Sequence, residues 1–383
     1  SDVCSSDLSA PNSTDLTWET VITKNIGLDL GFLNNRLNVS FDAYIRDTKD
    51  MLMAGKTLPG VYGASSPRMN VADLRTKGWE ASITWGDSFT LASKPFNYRI
   101  MAGIGDNTSK VTKYDNPNRT LTDPYEGQQL GEIWGYVVDG YFKTDEEARN
   151  YKVDQSFVNQ MINASALDNG LHAGDLKFVD LDGNNKIEQT TSANDRKDMK
   201  VIGNSLPRYN YNFGISADWY GIDFSVLFQG IGKQNWYPGA ETSMFWGPYS
   251  RPYASFIPSD FMSQVWSEEN TDAYFPRPRG YVALGSNREL AVVNTKYLQN
   301  LAYCRLKNLS IGYTLPDKWL SKIGFEKIRV YFSGENLLTF TKLHSDYIDP
   351  EQASASNSWK TSKSDANIYP WAKTYSFGVD ITF

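Results

Sequence analysis

Nowhere does the chain approach the ~20 consecutive apolar residues that a membrane-crossing helix requires. It has two cysteines among its 383 residues. Cys4 and Cys304 stand far apart, form no metal or redox spacing, and give no reason to expect a bridge between them. The two histidines, His172 and His344, have no nucleophile motif beside them. No glycine-rich phosphate loop is present, because Gly203 and its neighbours lead into a strand rather than a helix. Lys and Arg number 38 against 44 Asp and Glu, a formal charge of −6. That balance leaves no basic footprint for nucleic acid. With so many acids, chance carboxylate pairs are expected and none carries a glycosidase assignment. No catalysis is expected. The segment Ser1–Leu8 has neither a basic region nor an apolar run, so it is not a signal peptide. Residues 1–17 read as a tail of uncertain origin, and 18–383 as the folded unit.

Aromatic residues are abundant, at 14% with 23 Tyr and 11 Trp. At the C-terminal end Tyr375, Phe377, Val379, Ile381 and Phe383 alternate with Ser376, Gly378, Asp380 and Thr382. A strand has a side-chain period of two, so one face is apolar and the other small or polar. The pattern recurs. Ile26, Leu28, Leu30 and Phe32 form one stripe, and Leu37, Val39, Phe41, Ala43 and Ile45 another across Asn34–Asn35. Further stripes are Trp79–Trp85, Phe96–Ile104, Tyr209–Trp219 and Ile222–Phe228, with two more strands near Leu301–Leu315 and Ile328–Phe340. A phase break around Arg305 reads as a bulge. Several runs reach the ~9–11 residues that cross a bilayer at a tilt. Trp and Tyr sit near many stripe ends, where interfacial girdles lie. The expected fold is therefore all-β, an antiparallel transmembrane barrel. A soluble sandwich, burying the same stripes between two sheets, is the alternative, and with it a secreted glycan-binding or glycan-degrading protein.

Connection lengths test the barrel reading. Short turns are expected at Asn34–Asn35, 88–95, Tyr220–Gly221 and 316–326, and long connections at 48–77, 107–207, 232–300 and 341–371. Short and long alternate, as periplasmic turns and extracellular loops do. About nine strands result, an odd number that cannot close an antiparallel barrel, and lipid tolerates no open edge. The chain is thus expected to be part of a larger barrel.

Several stretches resemble the C-terminal half of SusC/RagA-type TonB-dependent outer-membrane transporters of Bacteroidetes. They include Glu126–Phe142, Asp175–Ile187, Val201–Arg208, Trp266–Asp272, Tyr297–Pro316, Val330–Phe340, Asp349-Pro-Glu351 and the closing strand. The resemblance runs from about Trp18 to Phe383. It implies a barrel of ~22 strands, filled by an N-terminal plug, with a SusD-like surface lipoprotein as lid. It also implies TonB-driven import of oligosaccharides or peptides across the outer membrane. On that comparison the signal sequence, the TonB-contacting segment, the plug and the first strands lie outside this chain.

Two candidate sites stand out. Asp180, Asp182, Asn184, Lys186 and Glu188 match the opening of a calcium loop, with oxygens at positions one, three and five, a backbone carbonyl at seven and an acid at nine. Position six is Asn185 rather than Gly, and position twelve is Thr191, which offers no bidentate carboxylate. Asp195 is the expected replacement if the loop folds back. A metal-free, hydrogen-bonded Asx turn is the alternative. The second candidate is an aromatic loop with Trp236, Tyr237, Phe245, Trp246, Tyr249, Tyr253 and Phe256. Its rings are suited to stacking on a ligand, to packing on the lipoprotein, or to packing on one another. Asp29, Asp42, Arg46, Glu80, Arg99, Asp218 and Asp223 are expected to face the lumen.

Overall fold

Alternation of side chains along each strand produces a single nine-stranded antiparallel sheet whose strand order follows the chain order. The computed structural model describes residues 16–55, 61, 66–159, 170–250, 257–278, 283–285, 288–320, 324–353, 363–364 and 369–383. The sheet strands are β1 (Thr20–Phe32), β2 (Leu37–Ala54), β3 (Arg68–Leu91), β4 (Lys94–Lys113) and β5 (Arg208–Trp219). They continue with β6 (Ile222–Lys233), β7 (Tyr303–Thr314), β8 (Lys327–Thr341) and β9 (Thr374–Thr382). The sheet is open: β1 and β9 are its two outer strands.

Register brings the apolar stripes onto one face. Leu30 pairs with Val39, Val39 with Ile83, Ile83 with Ala102, Ala102 with Phe213 and Phe213 with Phe228. Farther along, Phe224 pairs with Ile311, Ile311 with Phe332 and Phe332 with Phe377. A one-residue slip in any pair would turn its whole stripe to the other side. This face is not covered by protein: Ile26 is 72% exposed and Phe377 82%. No second sheet packs on it, so the sandwich alternative fails among the described residues.

The turns hold the register. Ala92 and Ser93 both have positive φ, as do Tyr220 and Gly221. Two-residue turns of that hand match the twist of the flanking strands. β3 and β4 therefore run closer to their turn than the expected connection at 88–95. At the other end, β2, β3 and β4 reach 18, 24 and 20 residues, well into segments expected as loops. A hydrogen-bonded ladder needs no apolar face, so it continues after the alternation has faded. The phase break in β7 is a register shift between Leu306 and Asn308, just beyond Arg305.

The long connections, all at one end of the sheet, build their own core. Tyr136, Phe178, Trp236, Phe245, Trp246, Phe275 and Tyr297 are among its buried residues. Beside a separate small cluster of Phe142, Ala148 and Leu171, Thr144 caps the short helix Asp145–Arg149 by accepting from the Glu147 N–H at 3.1 Å.

Candidate functional site

Opposite the apolar stripes lies the polar wall of the sheet. Ser216, Ser225, Ser310, Ser333 and Ser376 are register partners across five neighbouring strands, so this part of the wall is low. Two tyrosines lie flat on it. The Tyr44 ring covers Gly78 so closely that a Cβ there would lie 2.5 Å from the ring, and Tyr331 covers Gly378 in the same way. Several of the expected lumen acids are paired. Asp29 accepts from Ser40 at 2.6 Å, Asp218 from Asn97 at 2.8 Å, and Asp223 from Arg329 at 2.6 and 2.8 Å.

Near the mouth, the β7 bulge carries Arg305 and Lys307 to the β8–β9 connection. Arg305 Nη2 lies 2.6 Å from Asp349 Oδ1, and its Nη1 lies 2.6 Å from Glu351 Oε2. Lys307 Nζ reaches Glu351 Oε1 at 2.6 Å. The side chains of Arg305 and Asp349 are 3% and 4% exposed, so this ion pair is desolvated. Burial opposes ionisation of Asp349, but Arg305 and the N–H groups of Glu351 and Trp371 outweigh it. Together they hold the carboxyl below its ordinary value. A latch thus seats the last connection against the wall. Sequence reasoning singled out Asp349-Pro-Glu351 without finding its partners, since nothing in the spacing ties residue 305 to residue 349.

The Asp180 loop is ordered by its own backbone. Asp180 accepts from the N–H groups of Gly183 and Asn185, both at 2.7 Å, and Asn185 takes the left-handed conformation, with φ 62°. Asp182 accepts from the Asn184 N–H at 3.1 Å, and Asn184 Oδ1 from the Lys186 N–H at 2.8 Å. Such turns leave each oxygen a further lone pair. The third carboxylate differs from the expected one. Asp195 is exposed in the Ser192–Asp195 turn and stands apart from the group, whereas buried Asp198 joins it. One oxygen each from Asp180, Asp182 and Asp198 lies within 4.8 Å of the other two. Asp198 is drawn in because its carboxylate accepts from the N–H groups of Leu181 at 2.9 Å and Glu188 at 2.7 Å. Burial raises its pKa, those two N–H groups oppose the rise, and Asp182 and Asp180 add to it. Glu188 instead pairs with Lys197 at 3.3 Å.

The aromatic loop is corrected more strongly. Trp236, Tyr237 and Trp246 are wholly buried and Tyr249 nearly so, which removes them as exposed platforms for cargo or a partner. Their polar ends are satisfied internally: Tyr237 donates to the Leu290 carbonyl at 2.8 Å, Trp246 to that of Gly239 at 3.0 Å, and Tyr249 to that of Pro276 at 2.5 Å. Packing of the rings on one another is what the structure shows. Tyr253 and Phe256 lie outside the described residues.

The family model described as "TonB dependent receptor-like, beta-barrel" matches residues 5–337. The chain belongs to the TonB-dependent receptor family. Among curated relatives, this receptor chain is 28% identical over 388 residues to TonB-dependent receptor P3 of Formosa agariphila, covering 96% of this chain and 34% of that protein. It is 24% identical to TonB-dependent receptor SusC of Bacteroides thetaiotaomicron, covering 96% of this chain and 32% of that protein. The chain therefore spans about a third of the length of the relatives it matches. In fold it is similar to a chain of the RagAB peptide importer in the "open-open" state, with TM-score 0.67 and 22% identity over 96% of this chain and 35% of that one. These relatives are receptors and transporters, and the chain is a receptor barrel segment rather than an enzyme.

Proposed function

We propose that this chain forms part of a TonB-dependent importer in the outer membrane of a Gram-negative bacterium, carrying oligosaccharides or peptides. The observation that carries the reading is the register itself: one continuous, protein-free apolar face and one low polar face on the same nine strands. In a bilayer the first meets hydrocarbon and the second lines a polar lumen. The outer strands β1 and β9 then meet further strands of a larger barrel, since lipid does not satisfy exposed backbone groups. A SusD-like lipoprotein sits as a lid on the loop domain, and TonB drives the import. Deleting the gene is expected to leave general growth intact and to abolish growth on one class of glycan or peptide as sole nutrient. Full growth on every such nutrient, with the wild-type protein absent from outer-membrane fractions, overturns the proposal.

The Asp180 loop favours a second reading, calcium binding that braces the loop domain. Hard carboxylate and amide oxygens from Asp180, Asp182, Asn184 and Asp198, with the Lys186 carbonyl, suit that cation. The expected result is calcium-dependent protection of residues 180–198 from proteolysis in the full-length receptor. D180N/D182N should remove it, and equal protection with a chelator present sinks the calcium reading.

A further inference from the structure

At the loop-bearing end of the sheet, β5 leaves the edge of β4 and another stretch of chain takes its place. Pairing of β4 with β5 ends at Gly105 and Asn210. Beyond that point the Gly127 N–H donates to the Val111 carbonyl at 2.9 Å and the Leu130 N–H to the Ser109 carbonyl at 2.8 Å. The turn leading into this stretch is braced by one buried side chain. Asn116 donates to the carbonyls of Thr120 at 2.9 Å and Pro124 at 3.1 Å, and accepts from the Thr120 N–H at 3.0 Å. The Ala193 N–H donates to the Arg119 carbonyl, and the Leu121 N–H to that of Thr191, both at 2.9 Å. Arg119 is therefore carried on a rigid support.

Its guanidinium carbon stands 4.7 Å from the centre of the Tyr125 ring, a cation–π seat. That ring is buried, and its hydroxyl donates to Glu132, which fixes the plane on which the guanidinium rests. The acids nearby are engaged elsewhere or point to solvent. Glu132 also accepts from Trp134 Nε1 at 3.0 Å, Asp123 accepts from Thr122 at 3.3 Å, and Asp115 and Glu126 are exposed. Arg119 makes no ion pair and no side-chain hydrogen bond among the described residues. Its Nε is buried without an acceptor, although the residue as a whole keeps part of its surface open. Gly127 leaves one edge of the fork uncovered: a Cβ there would stand 3.7 Å from Nη2. A buried N–H without a partner is costly, and Arg119 also takes a left-handed φ of 48°. Both costs fall on one residue whose five donors have no acceptor in the fold.

We infer that Arg119 binds a carboxylate of the imported cargo, its fork taking the two oxygens side by side while Tyr125 holds the guanidinium plane. A planar monoanion matches one fork and one charge. A dianion calls for a second cation, and among the described residues no other Lys or Arg stands over this ring. The inference rests on the importer reading above and narrows its cargo to molecules with a free carboxyl group. An oligosaccharide carrying uronic acid and the C-terminal end of a peptide both supply that group.

The test uses the full-length receptor extracted from outer membranes in mild detergent, with binding read by titration calorimetry. The probes are tetragalacturonate with its methyl ester, and tetra-alanine with its C-terminal amide. One of the two acids should bind wild type, and its neutral counterpart on the order of 30-fold more weakly. Which acid binds tells a uronate from a peptide end. R119Q should bind that acid as weakly as wild type binds the neutral form, and R119K, which keeps the charge without the fork, should recover only part. R149Q, at an exposed arginine elsewhere in the loop domain, should bind like wild type. All variants should keep the wild-type heat-modifiable migration, and the comparison of acid with neutral form on wild type stands even if R119Q fails to assemble. Failure of both acids to bind wild type, equal binding of acid and neutral forms, or full binding by R119Q overturns the site. Equally tight binding of a sulfated, carboxyl-free tetrasaccharide, lost in R119Q, makes it a general oxyanion site and overturns the carboxylate assignment. Absence of the wild-type receptor from the outer-membrane fraction overturns the importer reading instead.

Discussion

At the scale of single residues, the wall is shaped by where a side chain is missing. Gly78 leaves room for the Tyr44 ring, and the strand gains the aromatic cover that a glycine otherwise lacks. G78A should cost about 1–3 kcal/mol in urea unfolding of the full-length barrel in detergent. G86A, whose nearest neighbour would be the Tyr98 carbonyl at 3.8 Å, should be tolerated. Equal costs at the two positions would contradict this account of Gly78. Asp349 supplies a pH test. Its pKa is depressed in the fold, so the latch's contribution is complete above the unfolded value of ~3.9 and is lost as pH falls through the lower folded value. Trp371 fluorescence should therefore stay constant from neutral pH to about pH 5 and change only in stronger acid. In R305Q the depressing cation is gone while burial remains, so the change should move to higher pH. An unchanged midpoint would show that Arg305 does not hold the loop.

At the scale of elements, the β7 bulge joins wall to mouth. One extra residue lets Leu309 and Ile311 face outward with Leu306 while Arg305 and Lys307 reach the β8–β9 connection. Removing Lys307 should force a choice between keeping the ladder and keeping both faces, because a one-residue slip exchanges them. Expected is a large loss of heat-modifiable, membrane-assembled receptor, with K307A assembling normally because it keeps the bulge. Normal assembly of the deletion would refute the bulge's role. The loop domain shows another effect at this scale. Its rings, rich enough to suggest a ligand platform, instead fill a core, since connections this long need buried apolar surface of their own to stay folded.

For the whole molecule, the open sheet is the decisive property. β1 is exposed along its entire length, and both outer strands present unpaired backbone with apolar side chains, a template for aggregation. Residues 16–383 expressed alone should aggregate, whereas the full-length receptor should be extracted by detergent as a monodisperse species. A soluble monomer of residues 16–383 in plain buffer would mean that something other than lipid and further strands covers these surfaces.

Period-two patterning by itself determined the nine strands, their two faces and their alternating turns, because a strand's side chains record its surroundings residue by residue. The match to the expected stripes from Ile26 to Phe383 follows from that. It did not determine how far β2–β4 rise, since hydrogen bonding needs no side-chain pattern once both faces are wet. Nor did it disclose that Asp198 rather than Asp195 joins the acidic loop, or that Arg305 meets Asp349. Each of these depends on residues distant in sequence meeting through backbone N–H groups, a bulge or cross-strand register, and only the tertiary structure brings them together.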